Sequence, residues 1–405
     1  MEFGALPAEI SFAEVFRSTA DIDISDILDQ MSTWQPRRTA PPSSVPLIDV
    51  PDLPMSPQNF ESNTPPQCLS DLEVVLLRPE HGPPAAVVKV ARSRPCASEL
   101  RRQRQILAEL AIHPELDEEW RELLPRTLAF DERAGATVSV ESYRPGIGLA
   151  ELLARRPDRV EELTAAALSA ITSLHRRTAT FVVVDNICFL RRWVVEPLSA
   201  LDHMCRRLAP RLIPDVAWLG ILLRRALVGR RLPMSWTHGE YTPGNVRVAG
   251  VQGPVTGILN WGGARPGRPA LIDEYLMVLT ATSQVERSGL GAVITERLQA
   301  GALSDRERNA LLTAHDHYEV ESSEGDRISE RVAILLTWLH HAADMWRKRA
   351  ALPDHHTWWN TNVAPVLDAV AAGHEYWVAR AQSTPSGAPM IPSSSDSPAA
   401  PAPGK

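Results

Sequence analysis

Lysine is almost missing from this 405-residue sequence: of 42 basic residues only Lys89, Lys348 and Lys405 are lysine, and the rest are arginine. A chain that takes arginine wherever a generic positive charge will do makes each lysine informative. Cysteine is sparse as well. Cys68, Cys96, Cys188 and Cys205 stand far apart, with no CxxC pair and no histidine at metal-ligand spacing, which excludes a disulfide framework and a zinc site and favours a reducing compartment. No stretch approaches about 18 uninterrupted apolar residues. The N-terminus, MEFGALPAEISFAEVF, also lacks a basic region followed by an apolar run, so a cytoplasmic protein is expected. A net charge of -7 and a pI of about 6.0 give no bulk electrostatic reason for nucleic acid or an anionic membrane as partner.

What is present describes a soluble globular protein, with 44% hydrophobic and 22% charged residues. Residues 1–33 hold apolar positions (Phe12, Val15, Phe16, then Ile22, Ile24, Ile27, Leu28) that fit one or two short acidic amphipathic helices, which could dock on the body or on a protein partner. Residues 34–67 are proline-rich without glycine and read as a semi-extended linker, and the Ser, Pro and Ala tail 383–405 reads as disordered. Between them, residues 68–145 suggest a small β-rich lobe. LEVVLLR and AAVVKVA flank a Gly/Pro break as a hairpin, SELRRQRQILAELA makes a helix, and LPRTLAF and TVSVESY make two further strands. Residues 146–382 read as mainly helical, interrupted by one short β stretch, NVRVAG and VTGILNW. The expected fold class is therefore α+β in two lobes, the second larger and mainly helical.

The chemistry concentrates in SWTHGEYTPGNVRVAG and the following VTGILNWGGARPGRPALIDEY. These segments resemble the aminoglycoside phosphotransferase family, which carries a loop H-G-D-x-x-x-x-N-V and then a strand ending I-D-W. The matching residues are His238, Gly239, Glu240, Asn245 and Val246, then Leu259, Asn260 and Trp261. Upstream, VVKV around Lys89 fits the family's nucleotide-contacting strand, and Leu174, His175 and Thr178 fit its L-H-x-x-T helix end. The resemblance covers roughly residues 72 to 375. It implies a two-lobed protein-kinase-like fold, ATP or GTP with magnesium as cofactors, and a small-molecule or peptide hydroxyl as acceptor.

Phosphoryl transfer needs a cation at the phosphates, magnesium on oxygen ligands and a carboxylate near the incoming hydroxyl. Lys89 would supply the cation; its alternative is a strand-edge lysine, disfavoured by flanking Val87, Val88 and Val90. Asn245 would offer a carbonyl to magnesium, or cap the turn after Pro243 and Gly244, or both. Glu240 stands where the family has its catalytic Asp, which moves the carboxylate outward by about one methylene, and misplacement on the order of 1 Å can cost about a hundredfold in rate. His238 heads the same loop as the second catalytic candidate, although a buried structural histidine is its more ordinary reading. Asn260 stands where the family has its metal-binding Asp, so the charge is gone and magnesium should bind weakly. Asp273, within one place of a further family acid, would brace the loop or reach the metal.

The family glutamate that pairs with the strand lysine aligns with Gln103, so that ion pair is expected to be missing. Glu99, one turn earlier, would substitute if the helix were shifted, or else serve as a first-turn acid. Glu141, Ser142 and Tyr143 fall where the resemblance places the hinge that meets adenine through backbone groups. Two functions stay open, with the family's phosphotransferase activity as the expectation because a glutamate base is chemically workable. One is an ATP-dependent kinase with Glu240 as base; the other is a pseudokinase that keeps the fold and has lost most transfer. The acidic stretch EVESSEGD at 319–326 would be a substrate cluster or a solvated loop. Scarce lysine and abundant Arg and Ala suggest a bacterial source.

Overall fold

The protein is described here by a computed structural model covering residues 72–77, 84–133, 135–185, 187–315, 328–349 and 354–373. The readings on residues 1–67, 319–326 and 383–405 lie outside the described residues. No described helix is long and apolar enough to cross a membrane.

The first lobe is a four-stranded antiparallel sheet in the order β1-β2-β4-β3, formed by Leu72–Leu77, Ala86–Ala91, Ala136–Ser142 and Thr127–Arg133 respectively. The alternation of β2 decides which residues meet the site. Ala86, Val88 and Val90 bury into a cluster with Val138 and Val140 of β4, so Lys89 and Ala91 face the other way. Helix α1 (Arg94–Ala111) carries a buried stripe at Cys96, Ala97, Leu100, Gln103, Ile106, Leu107 and Leu110, at the three- and four-residue spacing of one helical face. Its first half packs with Ala91. Its second half, Ile106, Leu107 and Leu110, joins the large core of the second lobe. This one helix is thus tied to both cores.

The second lobe is larger and mainly helical, so the α+β architecture in two lobes holds as expected. Its core gathers helices α2 (Val160–Arg177), α3 (Leu271–Glu286) and α4 (Glu330–Arg349) around Trp193, Trp261 and Trp338, each at most 1% exposed. The expected short β stretch is present as β8 (Val246–Val248) and β9 (Val255–Ile258), joined at one edge by β5 (Ile147–Gly148). A second three-stranded sheet, absent from the sequence reading, runs β10-β7-β6 with Arg265–Pro269, Arg231–Thr237 and Thr180–Val183. RPGRP and RLPMSWT carry proline and charge that lower β propensity, and their pairing is fixed by the tertiary frame instead. The proline-rich β10 lies at an edge, where a missing N–H is tolerated.

Candidate functional site

Strand β7 delivers the loop from His238 to Asn245, and α3 holds its start. Asp273, fully buried near the N-terminus of α3, accepts the backbone N–H of His238 (2.6 Å) on one oxygen and that of Gly239 (2.8 Å) on the other. Gly239 has φ +82°, and a Cβ there would stand 2.5 Å from the Gly263 carbonyl, so only glycine lets the loop close on the Trp261–Gly263 turn. Asp273, offered from sequence as a brace or a metal ligand, has both oxygens committed to that backbone. His175 of α2 completes the brace. Its Nε2 lies 3.1 Å from Asp273 and its Nδ1 lies 3.4 Å from Glu274. Burial opposes its charge, but its hydrogen bonds to Asp273 and Glu274 raise its pKa to about 9, and Glu274 is held at about 2 despite its own burial.

His238 is fully buried and stacks edge-on against Trp261 at 4.7 Å between ring centroids. Its Nε2 is 2.7 Å from the Leu259 carbonyl, which can only accept, so that nitrogen carries the proton. Its Nδ1 accepts the N–H of Glu240 at 3.2 Å. Burial, opposed by Asp273, lowers its pKa. Both ring nitrogens therefore belong to the fold, and the ring has no path to solvent. Trp236 and Trp261 are core residues, as the sequence suggests.

Lys89 does carry an ion pair, although not one from α1. Its ammonium lies 2.9 Å from Glu141 of β4, and Gln103 of α1 donates to the other oxygen of the same carboxylate at 2.6 Å. In the β2–β4 register Lys89 faces Ser139, and Glu141, two residues on, shares that face. The acid missing from the helix has thus moved to the strand. Glu141 enters the site through its side chain rather than as a hinge backbone group. The hinge amides themselves are occupied: Ser142 N–H donates to Arg126 O and Tyr143 N–H to Ala85 O.

Glu99 meets a different cation. Lys348, near the end of α4, lies 2.5 Å from Glu240 and 3.5 Å from Glu99. The Glu240 and Lys348 side chains are only 18% and 19% exposed. Burial works against the Lys348 charge, yet Glu240 and then Glu99 raise its pKa above the ordinary lysine value. Sequence reasoning did not place Lys348 at the site, although its rarity was a signal that could have found it.

The two asparagines bond to each other. Asn245 donates from Nδ2 to the Glu240 carbonyl at 2.8 Å, which turns its Oδ1 toward Asn260, whose Nδ2 donates to it at 2.7 Å. Asn260 holds a left-handed backbone (φ 60°), which asparagine tolerates better than most side chains. Magnesium was the expected metal, with Asn245, Asn260 and Asp273 as its ligands. The donor set is poor for that ion: Asn260 is neutral, Asp273 serves the backbone, and one of the two lone pairs of Asn245 Oδ1 accepts an amide proton. Among the described residues no three His, Cys, Asp or Glu side chains stand together where they would hold a metal.

Residues 70–271 match the phosphotransferase enzyme family. Among solved structures, an aminoglycoside-3'-phosphotransferase of type VIII is 17% identical, with 68% of this chain and 94% of that one covered and a TM-score of 0.41. A thermostable mutant of aminoglycoside phosphotransferase APH(4)-Ia, in a ternary complex with ADP and hygromycin B, is 13% identical, with 73% and 94% covered and a TM-score of 0.44. APH(3'')-Id from Streptomyces rimosus, with ADP and streptomycin, is 16% identical, with 63% and 87% covered and a TM-score of 0.36. No curated protein matches the sequence.

Proposed function

Given that the chain belongs to the phosphotransferase enzyme family, with altered acidic residues at its site, we propose that it keeps the family's nucleotide-site scaffold as a binding or regulatory protein, a pseudokinase. Metal-dependent transfer is largely lost. One observation carries this reading. The side-chain oxygen of Asn245, which the family resemblance assigns to magnesium, accepts a hydrogen bond from Asn260, the residue that replaces the second metal ligand. An amide N–H fills the place of a cation. It ties the loop to the β9 strand end without the charge that a triphosphate needs to have neutralised.

Two further features support it. Glu240, the base candidate, spends its carboxylate on Lys348, and a base must be free to accept a proton from the acceptor hydroxyl. Lys89, by contrast, is prepared for an anion, because Glu141 and Gln103 hold it in place as the helix acid would have done. Nucleotide recognition is thereby better supported than transfer. The second reading, an ATP-dependent kinase acting on a hydroxyl of a small molecule or peptide, draws on Glu240, which retains a carboxylate on an intact loop frame.

Thermal unfolding with ATP or GTP, with and without magnesium, separates the two. We expect stabilisation by nucleotide that is indifferent to magnesium, and no turnover. The Asn260→Asp, Glu240→Asp double variant should make the nucleotide shift magnesium-dependent and gain ATP hydrolysis. Magnesium-dependent turnover by the parent protein would overturn the proposal, and no shift with any nucleotide would remove both readings.

A further inference from the structure

Beside the loop, around strand β10, the chain assembles arginines, two of which have buried donors without a hydrogen-bond partner. Arg268 of β10 is 7% exposed, and its Nη1 has no hydrogen-bond partner; the Asp344 carboxylate stands 3.6 Å away. Arg265, on the same strand, leaves its buried Nε without a partner. Ser235 pairs with Arg268 across the β7–β10 register and so shares its side of the sheet, and its buried Oγ also bonds nothing. Arg102 of α1 and Arg347 of α4 close the group, the latter hydrogen-bonded to Asp344. The four guanidiniums act on one another: burial first, then Arg268 and Arg102, lowers the Arg265 pKa to about 10, and Arg102 is lowered by burial and then by Arg268. His340 adds no charge, since burial and then Arg268 hold its pKa at about 3.

Four cations thus gather about Asp344, with Glu99 acting on Arg102 as well. Burying a guanidinium N–H without an acceptor is costly, more so because the group is charged. Arg265 Nε and Arg268 Nη1, on one strand, are two such donors, and they are left for acceptor oxygens from outside. Guanidinium forks match tetrahedral oxyanions, and a dianion would balance the local excess of charge. We infer that Arg102, Arg265, Arg268 and Arg347, with Ser235, form an oxyanion site that takes the phosphate group of a small phosphorylated molecule. The site abuts the loop directly, because Arg268 Nη1 lies 3.4 Å from where a Gly239 Cβ would be. It draws on α1, β10 and α4, so its ligand would fasten the helix of the first lobe to the second.

The test uses inorganic phosphate as probe and the full-length chain. Phosphate in the millimolar range should raise the melting temperature by about 2 °C or more, while acetate at equal ionic strength should not. Arg268→Gln removes the buried member but risks the fold, so Arg102→Gln and Arg347→Gln are the deciding variants. Each should abolish the phosphate shift, and Arg102→Gln should melt no lower than the parent in anion-free buffer, because it relieves repulsion. Lys89→Met should keep the phosphate shift, which separates this site from any nucleotide site and leaves the inference independent of the proposed function. The inference is overturned if phosphate gives no shift, if acetate matches it, or if the shift survives Arg102→Gln and Arg347→Gln. Loss of the shift in Lys89→Met would assign phosphate to the nucleotide site and overturn it equally.

Discussion

Lys348→Met should destabilise the protein by about 2 kcal/mol, and the reasoning can be followed atom by atom. The lysine lies between two carboxylates, 2.5 Å from Glu240 and 3.5 Å from Glu99. Removing one partner of a fully buried ion pair costs about 3–5 kcal/mol, whereas an exposed pair is worth about 0–1 kcal/mol. With side chains 18% and 19% exposed, this pair falls between those limits. Methionine preserves most of the stem's packing, so the loss reports the charge. At about 2–4 °C per kcal/mol for a domain of this size class, the melting temperature should fall by about 4–8 °C at neutral pH. A double-mutant cycle isolates the pair. Glu240→Gln in the Lys348→Met background should recover about 1 kcal/mol or more, since the stranded carboxylate is then gone. If the two substitutions add within about 0.5 kcal/mol, Glu240 and Lys348 do not interact, and the account of an occupied base fails with them.

The brace beneath the loop should give a pH signature. The folded-state pKa of His175 is raised from 6.5 to about 9, so its contribution is fully present below pH 6.5 and is lost as pH rises through about 9. The change is on the order of 3 kcal/mol at most. Glu274, held at about 2 by His175 and then His315, contributes above pH 4.5 and loses that contribution as pH falls toward 2, and because the two shifts share the His175–Glu274 contact they are not summed. Denaturant titrations at pH 6.5 and 9 should show the alkaline loss in the parent and a flattened response in His175→Gln; equal slopes would refute the assignment. The relocated ion pair offers a complementary swap. Glu141→Gln should cost about 2–3 kcal/mol by leaving Lys89, 8% exposed, without a carboxylate. Adding Gln103→Glu should restore at least half of that loss in equilibrium unfolding, and no recovery would show that the helix side chain cannot reach the lysine.

The parts of this fold that were legible from sequence are those whose signal is local. The hairpins of β1 to β4 follow from β-branched runs around Gly/Pro breaks, and α1 follows from its apolar spacing, because each depends on residues a few positions apart. The sheet β10-β7-β6 was not legible, since RPGRP becomes a strand only by pairing with β7. The same division runs through the site. The frame His238, Gly239, Glu240 and Asn245 lies in one turn and could be seen as a unit. The groups that determine its chemistry come from elsewhere: Asp273 from α3, Glu141 from β4, Lys348 from α4, 108 residues beyond Glu240.

Those distant partners explain how three acidic changes coexist with an intact frame. The acid absent at Gln103 reappears as Glu141 and still receives Lys89. The charge absent at Asn260 is replaced by an amide that hydrogen-bonds Asn245. The lengthened Glu240 reaches a lysine in a chain that otherwise uses arginine. Each alteration is met by a group that satisfies it within the fold, which keeps the scaffold's buried polar groups paired. The contrast lies one strand away. At β10 and β7 the buried Arg265 Nε, Arg268 Nη1 and Ser235 Oγ have no hydrogen-bond partner, and the proposed oxyanion would bring the oxygen acceptors that the two guanidiniums lack.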